Sequence, residues 1–265
     1  MPARDYIEGL VCGFPREIRD RTSLVVLEAY ADDSADERIY VLAGWVGNAC
    51  QWGAFSDDYE KAALPRSFHM KKVRRPNGKR VRDLATITMS QAMYRVDCVL
   101  HQGNYKKIVK GKIKRELDSP YFVLFYQVIL ATARLLDRVG SDDTADWIFD
   151  EQGKIGDEAV AWYRFIKEHA RPNLKRRLGS TPIFRDDEKV LPLKAADLFA
   201  WQIRKHLSEE QPKGVAHNEI LDLFLAKYGV SSQMTGPHLE EFIRSVNSGL
   251  LSLKANCKFF LPPKC

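Results

Sequence analysis

Short apolar runs closed by acidic or glycine-containing turns alternate along this chain with segments whose apolar residues recur every three to four positions. Residues 24–31, rich in Val and Leu, predict a strand that ends in the turn-forming triplet Asp32-Asp33-Ser34. Residues 38–46 predict its hairpin partner. Across 49–64 the residues Trp52, Phe55, Tyr59 and Ala63 fall at helical spacing until Pro65 stops the pattern. Residues 71–82 carry a basic run around Pro76-Asn77-Gly78 and predict an exposed loop. A short helix over 83–94 and a strand over 95–101 follow. The segment 119–139 predicts a long apolar helix, with Ser119 as N-cap, Pro120 in the first turn and Gly140 just past the end. A strand over 146–150, a helix over 157–170, a short strand over 182–185 and a helix over 192–206 come next. After a polar break at 209–214, helices around 218–227 and 237–248 complete the pattern.

Strands alternating with helices behind an opening hairpin imply an α/β layer structure built on a mixed sheet. With 265 residues, 45% hydrophobic and 29% charged, the chain has the balance of a globular protein with a sizeable core. The longest apolar run, near residues 121–130, contains Gln127 and is too short to span a bilayer, and the N-terminus has no secretory pattern, so no membrane partner is expected. Five cysteines without a C-x-x-C pair argue against a disulfide framework or structural zinc and suit a reducing cytoplasm.

The candidate chemistry lies in acids at the ends of apolar segments. Asp32 and Asp33 close the first strand, Asp150 and Glu151 close Asp-Trp-Ile-Phe, and Asp197 interrupts an apolar helix between Ala196 and Leu198. Taken alone, turn chemistry is the favoured reading of the first group, and a turn or helix cap is a sufficient explanation of the second. Asp197 could instead pair with Lys194 or Arg204, although neither offset suits a helical ion pair. A carboxylate in apolar surroundings is costly unless something binds it. Three carboxylates on two strand ends and a neighbouring helix are what two-metal phosphoryl chemistry requires, and hard oxygen ligands suit Mg²⁺ or Mn²⁺, with ions about 4 Å apart. The pair Asp186-Asp187 reads as a turn before the helix, with further ligation as the alternative.

Five motifs, taken together and in order, resemble the family labelled domain of unknown function 3800, which is grouped with ribonuclease H-like folds. They are Tyr30-Ala31-Asp32-Asp33-Ser34, Tyr40 to Val46, Phe68-His69-Met70, Phe149 to Gly153, and Leu193 to Trp201. The resemblance spans roughly residues 24–207. The family's opening motif usually runs Asp-Glu-Ser-Gly, and here Asp33 and Ala35 stand at its second and fourth positions. The resemblance implies a ribonuclease H-like mixed sheet with helices packed on it over residues 1–208, and the polar break at 209–214 sets off a helical extension over 209–265 packed on the same domain. It implies Asp32, Asp150 and Asp197 as metal ligands, Asp33 and Glu151 as auxiliary acids, and His69 as a group positioning water or phosphate. A structural role is the alternative for His69.

The net charge of +6 is concentrated in three basic segments. Lys71, Lys72, Arg74, Arg75, Lys79 and Arg80 form the first, Lys106 and Lys107 open the second, and Lys175 and Arg176 lie in the third. Such side chains supply phosphate contacts without reading sequence; solvated surface loops are the alternative. The expected protein is therefore a metal-dependent nuclease or related phosphoryl-transfer hydrolase. A catalytically silent nucleic-acid-binding or adaptor protein of the same fold is the alternative. No nucleophile elbow or phosphate-cradling glycine loop is present.

Overall fold

Strand β1 (Leu27–Ala35) pairs antiparallel with β2 (Ile39–Asn48), which pairs antiparallel with β3 (Tyr94–His101). On the other side of β1, β4 (Ala145–Asp150) runs parallel to it and β5 (Ile183–Arg185) parallel to β4. Beyond β3, β6 (Gly229–Met234) is parallel and β7 (Lys258–Phe260) antiparallel. The result is a seven-stranded mixed sheet in the order β5-β4-β1-β2-β3-β6-β7. The carboxyl ends of β1, β3, β4, β5 and β6 thus share one edge. This computed structural model describes residues 3, 27–75, 78–92, 94–151, 153–209, 218–251 and 258–260.

Alternate side chains of each strand enter opposite core layers, as the period of two requires. Ala29 and Ala31 of β1 join Val96, Cys98 and Leu100 of β3 against α3 (Pro120–Arg138), α4 (Lys154–His169) and α7 (Gly236–Ser248). Tyr30, Val41, Ala43 and Trp45 face the other way, against α1 (Ala49–Lys61), α2 (Lys79–Gln91), α5 (Pro192–Ser208) and α6 (Glu219–Leu225). Trp45 Nε1 donates to Ala195 O at 3.2 Å and so ties β2 to α5. No described helix is long and apolar enough to cross a membrane.

Helix α3 has the boundaries its caps predict. Ser119 accepts a hydrogen bond from Tyr121 N–H, Pro120 stands in the first turn, and Gly140 takes φ +68° beyond the end. Three expectations differ from the structure. Asp32, Asp33 and Ser34 belong to β1 itself, paired with Ala43, Leu42 and Val41, and the turn lies after them. There the Asp36 carboxylate accepts the N–H groups of Arg38 and Ile39, taking over the turn chemistry expected of the earlier acids. Lys79 to Arg82 open α2 rather than extending the loop, with Lys79 bonded to Asp83 one turn on at 2.7 Å.

The third difference concerns the C-terminal stretch, which contains α6 and α7 but also adds β6 and β7 to the sheet. Ser231, Ser232 and Gln233 give β6 a polar sequence, and Ser232 is buried because its hydroxyl accepts from Gln127 Nε2 at 2.7 Å. The stretch is therefore not purely helical. The start of the first expected strand (24–26), the centre of the basic loop (76–77), Gln152 and most of the break at 209–214 lie outside the described residues.

Candidate active site

Asp32 and Asp150 emerge side by side at the shared carboxyl edge. The parallel register pairs Ala31 with Phe149, and each acid is the next residue of its strand. Adjacent strands lie about 4.8 Å apart. Both acids have the parity of Tyr30 and Ile148, whose layer is covered by α5. Asp197 sits on that helix and is itself buried, as is Asp32. Three of the sequence-predicted acids thus meet between two strand ends and one helix.

Their charges act on one another. Burial, followed by the charges of Asp197, Asp33 and Asp150, pushes the Asp32 carboxyl well above the ordinary carboxylate range. Burial and then Asp187 raise Asp150 to about 6. Burial also raises Asp33 to about 6, against the opposing pull of Lys71 and a hydrogen bond with Tyr40. Asp33 N–H donates to Asp32 Oδ1 at 2.7 Å, fixing one face of the first acid.

Asp197 is held from the loop before α2. Its Oδ2 lies 2.7 Å from His69 Nδ1 and accepts the Met70 N–H at 2.8 Å. The hydrogen bond to Asp197 is the main cause that raises the His69 pKa above its ordinary 6.5, and burial works against it. With Nδ1–H given to the carboxylate, Nε2 becomes the acceptor nitrogen of a ring whose side chain is 28% exposed. His69 is thereby part of the acid cluster. Arg204 and Lys194 are not the partners of Asp197: Arg204 bonds Ser34 and Asp36, and Lys194 faces Asp187.

Two further residues belong here. Asp187, on the turn before α5, is charged close enough to Asp150 and His69 to raise the proton affinity of both. Its Oδ2 lies 2.7 Å from Nζ of Lys194, one helical turn before Asp197 and only 1% exposed. The sequence signal for Asp187 was its place in an acidic pair, which turn chemistry explained as well. Tyr40, which opens the second motif of the resemblance, hydrogen-bonds Asp33, and Tyr121, which carried no site signal, has its hydroxyl pKa raised by burial first and then by Asp33 and Asp32.

Other predicted residues are distributed unequally. Glu151 is exposed, and its N–H donates to Arg185 O. Lys71, Lys72, Arg74, Arg75, Lys79 and Arg80 are exposed around the loop that delivers His69, and Lys106 and Lys107 are exposed just past the carboxyl end of β3. Lys175 and Arg176 are exposed too, but their loop joins the sheet at the Ala145–Leu178 bridge. That is the opposite end of β4, roughly 17 Å from Asp150 at 3.3 Å per residue. Arg176 also reaches Asp137 at 3.3 Å.

The donor set is chemically suited to a hard divalent cation: carboxylate oxygens, buried and mutually repelling. Among the described residues, no group of three or more His, Cys, Asp or Glu side chains is arranged to hold a metal ion as it stands. One carboxylate oxygen of Asp197 is already committed to His69 and Met70, which leaves Oδ1 as the oxygen open to a cation. No protein-family model matches the chain, and no curated protein matches it in sequence.

Proposed function

We propose that this protein is a divalent-metal-dependent nuclease, or a related phosphoryl-transfer hydrolase acting on nucleic acid, with a ribonuclease H-like fold in the family of domain of unknown function 3800. The observation that carries the reading is the convergence of Asp32, Asp150 and Asp197 on one sheet edge, with His69 attached to Asp197. The antiparallel β1-β2-β3 meander, extended past β1 by parallel β4 and β5, supports the fold assignment. Asp32, Asp150 and Oδ1 of Asp197 would hold Mg²⁺ or Mn²⁺, relieving the repulsion that raises the first two carboxyls. An ion held there would supply Lewis acidity to the phosphoryl group and to the attacking water.

The chain's own residues do the rest. His69 Nε2, oriented by the Asp197 bond, accepts a proton from the attacking water. Exposed Lys71, Lys72, Arg74 and Arg75 beside that histidine, with Lys106 and Lys107 along the same edge, bind the phosphate backbone. The cysteine usage supports a cytoplasmic setting.

Calorimetric titration with Mn²⁺ tests the reading, using wild type, Asp150→Asn and Asp197→Asn, followed by cleavage assays on single- and double-stranded DNA and RNA. Binding and metal-dependent cleavage by wild type, both lost in the variants, are expected. A wild type that binds no Mn²⁺, with or without nucleic acid, overturns it. A second reading, a metal-independent nucleic-acid-binding or adaptor protein, is favoured by the satisfaction of Asp197 Oδ2 within the chain. It predicts nucleic-acid affinity that neither added metal nor Asp150→Asn changes.

A further inference from the structure

The carboxyl edge of the sheet parts at two places. Where adjacent parallel strands send their connections in opposite directions, a crevice is left over the strand ends. One such pair is β1 and β4: the chain turns from β1 to β2 on one side and passes from β4 to β5 on the other, and the acids lie between them. The second pair is β3 and β6. The chain leaves β3 for β4, beyond β1, and leaves β6 for β7 in the other direction. At this second place lies an open cleft of about 540 Å³. That is within the roughly 300–1,000 Å³ of small-molecule sites. His101, on its wall, is two strands across and four residues along from Asp32. Ordinary strand spacing and rise make this roughly 16 Å. None of Asp32, Asp150 and Asp197 lines the cleft.

Its walls are held in place by bonds within the chain. Gln102 N–H donates to Arg38 O at 2.9 Å, tying the β1–β2 turn to the end of β3. The Arg38 guanidinium donates to Ser208 O at the end of α5, which anchors its side chain. Lys106 stands on the π-helical turn Tyr105–Val109, where the Tyr105 hydroxyl donates to Asp118 Oδ1 at 2.7 Å. On the β6 side, Gln233 Nε2 donates to His101 Nε2 at 3.2 Å, and Gln233 O lies 2.8 Å from His238 Nδ1.

The lining has the chemistry of a nucleotide site. Two cations, Arg38 and Lys106, face one carboxylate, Glu37, and the balance selects an anion. A guanidinium grips phosphate oxygens in pairs, and an ammonium adds a point charge. The amides of Asn104 and Gln233 each carry donors and an acceptor, as the edge of a base requires. The Glu37 carboxylate accepts from sugar hydroxyls. We propose that this cleft binds one nucleotide, with its phosphate on Arg38 and Lys106 and its base against Asn104 and Gln233. The ligand is a free nucleoside 5′-monophosphate or the 5′-phosphorylated end of a strand, which present the same groups. The inference goes beyond the function proposed above and needs no metal ion. A merely solvated gap between diverging connections would hold a nucleotide no better than inorganic phosphate.

The test is calorimetric titration of the full-length protein in EDTA with each common ribo- and deoxyribonucleoside 5′-monophosphate, with inorganic phosphate and with unphosphorylated nucleosides. At least one monophosphate is expected to bind with Kd below about 1 mM, about tenfold or more tighter than phosphate or its own nucleoside. Lys106→Glu removes a phosphate contact, and Gly103→Phe fills the cleft; each is expected to weaken binding about tenfold or more. A Cβ at Gly103 meets nothing within 4 Å, so the second variant has room to fold, and circular dichroism confirms that both do. Displacement of the bound monophosphate by a short 5′-phosphorylated oligonucleotide supports the inference with a strand end as ligand. Lack of displacement supports it with the free nucleotide. A wild type that binds no monophosphate at about 10 mM, or binds it no tighter than phosphate, overturns the inference and needs no variant. Unchanged binding in both folded variants overturns it as well. Because EDTA is present, failure of the metal-dependent reading leaves every one of these results standing.

Discussion

His69 Nδ1 and Asp197 Oδ2 lie 2.7 Å apart although 128 residues separate them in the chain. The bond joins the loop before α2 to the face of α5 that covers the acidic strand ends, and the adjacent Met70 N–H reinforces it. A carboxylate in this position stabilises the imidazolium, so the His69 pKa rises above 6.5. Asp197→Asn is expected to lower the His69 midpoint, read from its Cε1 proton by NMR in metal-free protein. An unchanged midpoint would show that the two groups are not bonded in solution. A raised folded-state pKa means the pair's contribution to stability is fully present below the unfolded-state pKa. It is lost as pH rises through the folded-state value.

The acids depend on pH with the same sign, in a lower range. Asp33 and Asp150 each titrate near 6 in the fold, against an ordinary value of 3.8. The folded state therefore holds its protons more tightly than the unfolded chain, and the metal-free protein loses stability as pH rises from about 4 to 6. Asp150→Asn removes one of the repelling charges, and at pH 7.5 it is expected to raise the metal-free melting temperature by about 2–4 °C, equivalent to about 1 kcal/mol for a chain near this size. Added Mn²⁺ should stabilise wild type more at pH 7.5 than at pH 5. A variant melting below wild type at pH 7.5 would argue that Asp150 is satisfied by the protein alone.

Nucleic-acid affinity should divide along the sheet. Charge reversal at Lys71, Lys72 and Arg74, beside His69, is expected to weaken binding at least tenfold. It should also lower the dependence of log K on log salt by about one for each phosphate that is no longer neutralised. Reversal at Lys175 and Arg176, at the far end of β4, is expected to change affinity by less than about twofold. Fluorescence anisotropy across a salt series separates the two. Equal losses would place the nucleic acid across the whole molecule.

Gly44 tests the hairpin that carries the first acid. A Cβ there would stand 2.0 Å from Tyr30 O and 2.9 Å from Ala31 Cα, both backbone atoms that cannot swing aside. Gly44→Ala is expected to cost about 3 kcal/mol or more, read by urea unfolding, because β1 must move away from its partner. The same shift would displace Asp32, so metal affinity should fall together with stability.

The alternation of apolar periods, the caps of α3 and the acids ending β4 are local signals, and the sequence determined them unaided. The chain order of strand and helix was enough to establish an α/β layer structure on a mixed sheet. Asp197 stood out because a carboxylate among Ala196, Leu198 and Ala200 has no local explanation. The tertiary structure decided which partners satisfy it. Lys194 and Arg204 were the nearest cations in sequence, yet the helix directs one to Asp187 and the other to Ser34 and Asp36. His69 arrives from a loop whose path only packing fixes.

Placement along the sheet was equally beyond the sequence. The third basic segment reads like the first two, but strand direction carries it to the opposite end of β4. The polar strand β6 gave no periodic signal because its buried Ser232 is satisfied by Gln127 on a distant helix. Periodicity and capping arise between residues three or four apart, so a single chain displays them. Charge pairing and sheet register arise between residues more than a hundred positions apart, and they take effect only once the backbone has closed the distance.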